Sequence, residues 1–234
     1  MNKGILSKTK RENYLFVEGT NDREVFIHLL NYHGITSPDP SRRHHFKDGD
    51  ELFKIRDCVG FRNLLDIVKI ELKRGDIANN RYGIVIDADT HIEVNWQKLS
   101  KILMDRGYNA VPSIPNEGGV IVKQDELPII GIWLMPNNKL PGAIEEFLSF
   151  LGPQDDELWP IAQSAVQQAI SIKCNFPPSY VMKAHLHTWL SWQEEPGTPM
   201  GQAITKKYLN AHAPHALQLI TWFRNVFEFK FSES

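Results

Sequence analysis

Tyr82–Asp89 reads YGIVIDAD, an apolar run too short for a helix that closes on two acids. Such a run, rich in β-branched residues, predicts a buried strand with carboxylates at its C-terminal end. NYLFVE, residues 13–18, has the same form, and Gly19 breaks it. A helical pattern follows over residues 21–31, with Val25, Phe26, Leu29 and Leu30 on one face. Asn21, with Glu24 three residues on, predicts its start.

The same alternation extends in both directions. ELFKIRD (51–57) predicts a second strand, and residues 35–50 a loop that could hold a short one. Phe61, Leu64, Leu65, Val68 and Leu72 predict a helix over 61–73. Trp96, Leu99, Ile102 and Leu103 predict another over 95–106, closed by Gly107 as C-cap. Val120–Val122 suggests a small hairpin within the Pro- and Gly-rich stretch 111–128. IIGIWLM (129–135) is a further strand, and Pro141 is expected to open a helix running to Leu151. Strand and helix thus alternate over 13–151, which predicts an α/β fold, a mostly parallel sheet flanked by helices. After Gly152 and Pro153 the texture changes. Residues 155–173, 179–193, 199–210 and 214–228 all read as helical. We therefore expect an α/β domain over 1–152 and a helical C-terminal region over 153–234 packed on it.

With 42% hydrophobic and 23% charged residues among 234, a folded core is expected and disorder is not. A net charge of -2 argues against a globally basic nucleic-acid binder but leaves room for a local patch. Cys58 and Cys174 stand far apart and outside any CxxC pair, which points away from a disulfide framework and toward a reducing cytoplasm. The first residues, MNKGILSKTKRENY, hold no apolar run of the secretory kind, and nothing approaches a membrane span. A cytoplasmic protein with no membrane partner is expected.

The acids carry the functional signal. Glu18 closes one predicted strand, and Asp87 and Asp89 close another. Residues two apart in an extended chain point the same way, so both aspartates are expected to face one side. Ligand sites of open α/β sheets lie beyond the carboxyl ends of the strands, so neighbouring strands would bring three carboxylates together. Two like charges about 4 Å apart repel by about 4 kcal/mol at an effective dielectric near 20. Such a trio must protonate, spread apart or bind a cation, and Mg²⁺ suits an all-oxygen ligand set. A strand-end Asp-x-Asp is also a common turn or helix cap. Asp22, in a first helical turn, is favoured there by the helix dipole without any catalytic role.

At these residues the chain resembles the Toprim family. LFVEGTND (Leu15–Asp22) resembles its first motif, a strand ending in Glu-Gly. GIVIDAD (Gly83–Asp89) resembles its second, a strand ending in Asp-x-Asp. IWLMPNNKLPGAIEEFL (Ile132–Leu148) and HTWLSWQEEPG (His187–Gly197) further resemble a bacterial family of Toprim-like proteins related to the overcoming-lysogenization-defect nucleases. The resemblance implies a Toprim-like sheet, an acid/base or metal-binding Glu18, and Asp87 and Asp89 as ligands of Mg²⁺ or Mn²⁺. It implies Asp22 as a further ligand, with Glu145, or Glu146 as second choice, completing a second metal site. On a helix these two glutamates point about 100° apart, so one is expected to face the cleft. No Walker A pattern, primase zinc module or topoisomerase tyrosine region accompanies the motifs. Hydrolysis of DNA or RNA phosphodiesters is thus the expected activity, with defence against phage or mobile DNA as a role the relatives suggest.

Other residues carry weaker signals. Lys183 could neutralise a phosphate or a developing oxyanion, although a solvated lysine is the commoner outcome. His185 and His187, two apart on a predicted helix, are not expected to share a zinc ion. Arg42, Arg43, His44, His45 and Lys47 form a basic cluster that could meet phosphates or simply be a solvated loop. Met182, Leu186, Trp189 and Leu190 read as a helical core stripe, and Trp133 as core. Two rival readings stand beside the nuclease. One is nucleotidyl transfer or hydrolysis on a small phosphorylated molecule. The other is a subunit inert alone and controlled by a protein partner such as an ATPase. A homo-oligomer is compatible with any of these.

Overall fold

In a computed structural model the described residues are 12–37, 44–48, 51–74 and 77–228. Among these residues six strands are interspersed with helices through the first two thirds of the chain. They are β1 (Glu12–Val17), β2 (His45–Asp48), β3 (Glu51–Asp57), β4 (Arg81–Asp87), β5 (Val120–Val122) and β6 (Ile129–Met135). The helices among them are α1 (Thr20–Tyr32), α2 (Phe61–Glu71), α3 (Ile92–Arg106) and α4 (Ile144–Ser149). Then come α5 (Leu158–Ile172), a 3₁₀ turn at Pro178–Tyr180, α6 (Val181–Leu190), α7 (Met200–Thr205) and α8 (Pro214–Phe227). The expected α/β class holds: a mostly parallel sheet, helices around it, and a helical C-terminal region.

The sheet order is β2-β3-β1-β4-β6-β5. β3, β1, β4 and β6 run parallel, and β2 and β5 close the edges antiparallel. From β1 the chain first moves to one side, to β3, and then crosses to the other, to β4. The order therefore reverses between β1 and β4, whose carboxyl ends open a crevice of the kind where α/β sheets bind ligands.

Both sheet faces are buried, with the period of two that a covered strand requires. Leu15, Val17, Val85, Trp133 and Met135 share one hydrophobic cluster with α1, α4 and α6–α8. Phe16, Ile84, Ile86, Ile132 and Leu134 share the other with α2 and α3. The C-terminal helices thus belong to the same core as the sheet. Two glycines make this possible. A Cβ at Gly131 would stand 2.1 Å from Val226 Cγ2, and one at Gly83 would stand 3.1 Å from the Phe227 ring. Without side chains there, α8 settles directly on β4 and β6. Arg81 fastens its end: Nη1 donates to the Val226 carbonyl at 2.8 Å and Nη2 pairs with Glu228 at 2.6 Å.

The structure corrects several local expectations. α1 is capped by Gly19 without a side-chain hydrogen bond, so Asn21 and Glu24 do not start it. Val120–Val122 is one arm of the expected hairpin, and its other arm is β6, so the hairpin reaches beyond the 111–128 stretch. Pro141 does not open α4, because Asp89 and Gly142 first exchange backbone hydrogen bonds at 2.9 and 2.7 Å. That bridge holds the chain extended until Ala143, and α4 begins only at Ile144. Gly107 does cap α3 in the left-handed conformation, with φ 108°.

Candidate functional site

The crevice between the ends of β1 and β4 is a cavity of about 1050 Å³. Its floor is acidic, since Glu18, Asp22, Asp57, Asp87, Asp89, Glu145 and Glu146 all line it. β1 and β4 are neighbours, and this brings Glu18 to Asp87. The Glu18 carboxylate accepts the Asp87 backbone N–H at 2.8 Å. Asp22 comes from the first turn of α1 and is 6% exposed. Gly19 makes room for it, since a Cβ there would lie 3.1 Å from Asp22 Oδ2. The Glu-Gly pair is thus explained by close approach.

Asp89 departs from the expected arrangement. It lies beyond the strand, at φ 52°, and is exposed, so it does not continue the extended alternation from Asp87. Its Oδ2 accepts a hydrogen bond from Asn95, which also donates to the Asp87 carbonyl. It still lines the cavity and still raises the proton affinities of Glu18 and Asp87.

Glu145 and Glu146 take different roles. Glu145 is 9% exposed and pairs with Lys183 at 3.2 Å. Glu146 folds back to accept the Ala143 N–H at 2.7 Å, as a helix-capping glutamate does. Lys183 stands on α6 across the cavity, under the exposed ring of Tyr180, with its ammonium 5.6 Å from the ring centroid. Among the described residues that line the cavity it is the only lysine or arginine.

Asp57 escaped the sequence reading, and His185 entered it only as a residue not expected to share a zinc ion. Asp57 ends β3 as Asp87 ends β4, and the acid closing ELFKIRD was the available signal. Its carboxylate accepts from Thr20 Oγ1 at 2.5 Å and from the Val59 N–H at 2.9 Å, so it mainly ties β3 to α1. His185 also lines the cavity. Both its ring nitrogens are buried and have no hydrogen-bond partner among the described residues. Burial lowers its pKa, and burial also lowers that of His187, with Lys183 adding to the effect. Of the expected core stripe, Leu186, Trp189 and Leu190 are buried, while Met182 is half-buried and lines the cavity; Trp133 is fully buried. Arg42, Arg43 and the Lys47 side chain lie outside the described residues.

Crowding shapes the electrostatics of the floor. Burial pushes the Glu18 carboxyl up to about 7, against the Asp87 N–H that favours its charge, and Asp22 and Asp89 add repulsion. Burial likewise raises Asp22 to about 7, with Glu145 and Asp57 repelling it. Asp87 is raised well above the carboxylate range by burial and then by Asp22, Glu18, Glu145 and Asp89. Glu146 is also raised, first by burial.

Among the described residues, no three histidine, cysteine or acidic side chains form a ready-made coordination group. The chemistry of the donors nonetheless fits a hard divalent cation. They are all carboxylate oxygens, the choice of Mg²⁺ and Mn²⁺. Asp87 Oδ1 is buried and has no hydrogen-bond partner among the described residues. A buried acceptor left in that state costs about 1–3 kcal/mol, more for a charged group. A cation would remove that cost and the mutual repulsion together.

A family model, described as a protein of unknown function (DUF3226), matches residues 12–228. No curated protein and no solved structure matches the chain.

Proposed function

The chain belongs to this family, and we propose that it is a metal-dependent phosphodiesterase of the Toprim type that hydrolyses nucleic acid in the cytoplasm. The observation that carries the reading is Asp87 Oδ1, buried and unpartnered among the described residues, on a carboxylate surrounded by Asp22, Glu18, Glu145 and Asp89. Asp87, Glu18, Asp22 and Asp89 would hold Mg²⁺ or Mn²⁺, with Glu145 released from Lys183 as a further ligand. Such an ion, when bound, polarises a phosphoryl oxygen and lowers the pKa of water. With no ion bound, burial holds the Glu18 carboxyl up at about 7; a cation beside it would favour its charged form, which would take a proton from the attacking water and return it to the leaving oxygen. Lys183, on the facing wall, balances charge on the phosphate. Defence against phage or mobile DNA is the biological role that fits.

A second reading is favoured by one observation. Among the described residues the cavity is lined by a single lysine and no basic track, which suits a small phosphorylated molecule as well as a polymer. One assay separates the two. Supercoiled DNA, RNA and mononucleotide substrates are each incubated with Mg²⁺ or Mn²⁺ and wild type, Glu18→Gln or Asp87→Asn. The nuclease reading expects polymer cleavage by wild type alone. Equal cleavage by all three proteins would remove these residues from the chemistry, and turnover of mononucleotides only would favour the second reading.

A further inference from the structure

Helix α5 carries no charged residue from Leu158 to Ile172. Its inward side is Ala162 and Val166, and the helix packs on α6. About a third of a turn away runs a second apolar stripe: Leu158, Ile161, Ala165, Ala169 and Ile172, at helical spacings of three and four. Leu158 is 39% exposed, Ile161 55% and Ile172 84%. Ala169 is exposed and Ala165 half-buried. A surface helix ordinarily turns charged residues outward. Here the outer surface is this stripe flanked by Ser164, Gln167, Gln168 and Ser171.

The charges that bracket the helix say what fits on it. Glu157 immediately precedes α5, Lys173 immediately follows it, and both are exposed. Each lies eight residues from Ala165. Antiparallel pairing about a two-fold axis at Ala165 brings Glu157 of one copy level with Lys173 of the other at each end, on the flanks of the stripe. The same axis sets Leu158 against Ile172 and Ile161 against Ala169. At the crossing, Ala165 meets itself, and small side chains there let the helix axes approach closely. A parallel arrangement would instead oppose like charges at both ends.

We propose that α5 is a self-complementary docking surface on which a second copy of this chain seats antiparallel. The contact is isologous and closes at two copies. Two helices about 22 Å long bury less than the roughly 1,200 Å² of a standard stable interface, which is the size class of weak, reversible contacts. Because α5 packs on α6, pairing also braces the wall that carries Lys183 and His185. None of this depends on the nuclease reading.

Sedimentation velocity on the full chain from about 1 to 200 μM tests it. Wild type is expected to pass from monomer to dimer across that range. Ile161→Glu, at an exposed position, stays monomeric with an unchanged circular-dichroism spectrum. Glu157→Lys alone and Lys173→Glu alone each weaken dimerisation about tenfold, and the double reversal restores it. A wild type that is monomeric throughout overturns the proposal and leaves the stripe to a different protein. A dimer indifferent to Ile161→Glu, or a double reversal no better than the singles, overturns it equally.

Discussion

Glu18 and Asp87 follow and end adjacent parallel strands, and the Glu18 carboxylate accepts the Asp87 backbone N–H at 2.8 Å. One acid is thereby fixed over the backbone of the next. The hydrogen bond favours a charged Glu18, yet burial outweighs it and holds the carboxyl near 7. The floor of the cavity is thus held in tension by its own protonation.

That tension has a sign. Glu18 and Asp22 bind protons more tightly in the folded chain, near 7, than at their ordinary values of 4.5 and 3.8. Their contribution to stability is complete below the unfolded values and is lost as pH rises through about 7. His185 and His187, lowered by burial, work in the opposite direction, and comparing variants cancels their share. In EDTA the loss of melting temperature from pH 5 to pH 8 is predicted to be smaller in Glu18→Gln than in wild type. Equal losses in the two proteins would contradict the assignment.

Lys183 reaches Glu145 across the cavity at 3.2 Å. If it balances substrate charge, Lys183→Ala lowers kcat about 10–100-fold with a smaller change in KM, and Lys183→Arg retains most of the rate. Steady-state kinetics on a cleaved oligonucleotide check this. An unchanged kcat in Lys183→Ala would leave the residue as a structural partner of Glu145 alone.

Arg81 is 8% exposed and joins the start of β4 to the end of α8. Arg81→Met keeps its apolar bulk but strands the Val226 carbonyl. A loss of about 1.5–3 kcal/mol is expected, or roughly 3–12 °C in melting temperature for a chain of this size. A shift under 1 °C would show that α8 is held by packing over Gly83 and Gly131 alone.

What could be read from the residues follows a physical divide. YGIVID and NYLFVE were legible because burial on both faces writes a continuous apolar run, and the acids after them mark the open end. The helix faces of α2 and α3 were legible from local periodicity. The start of α4 was not, because the Asp89–Gly142 bridge that delays it joins residues 53 apart. The left-handed turn at Asp89 is hidden for the same reason, so strand spacing alone puts it beside Asp87 on one side. The Lys183–Glu145 ion pair and the orphaned His185 nitrogens are tertiary events that no local spacing encodes. Asp57 carried a readable signal, an acid closing a strand, but lay in a strand of mixed polarity.

The central claim is that these carboxylates form a divalent-cation site, and titration calorimetry with Mn²⁺ tests it most directly. Wild type at pH 7.5 is predicted to bind, and Asp87→Asn, with its fold checked by circular dichroism, to bind at least about 100-fold more weakly. A wild type that takes up no Mn²⁺, or an Asp87→Asn variant that binds as tightly, would contradict the account.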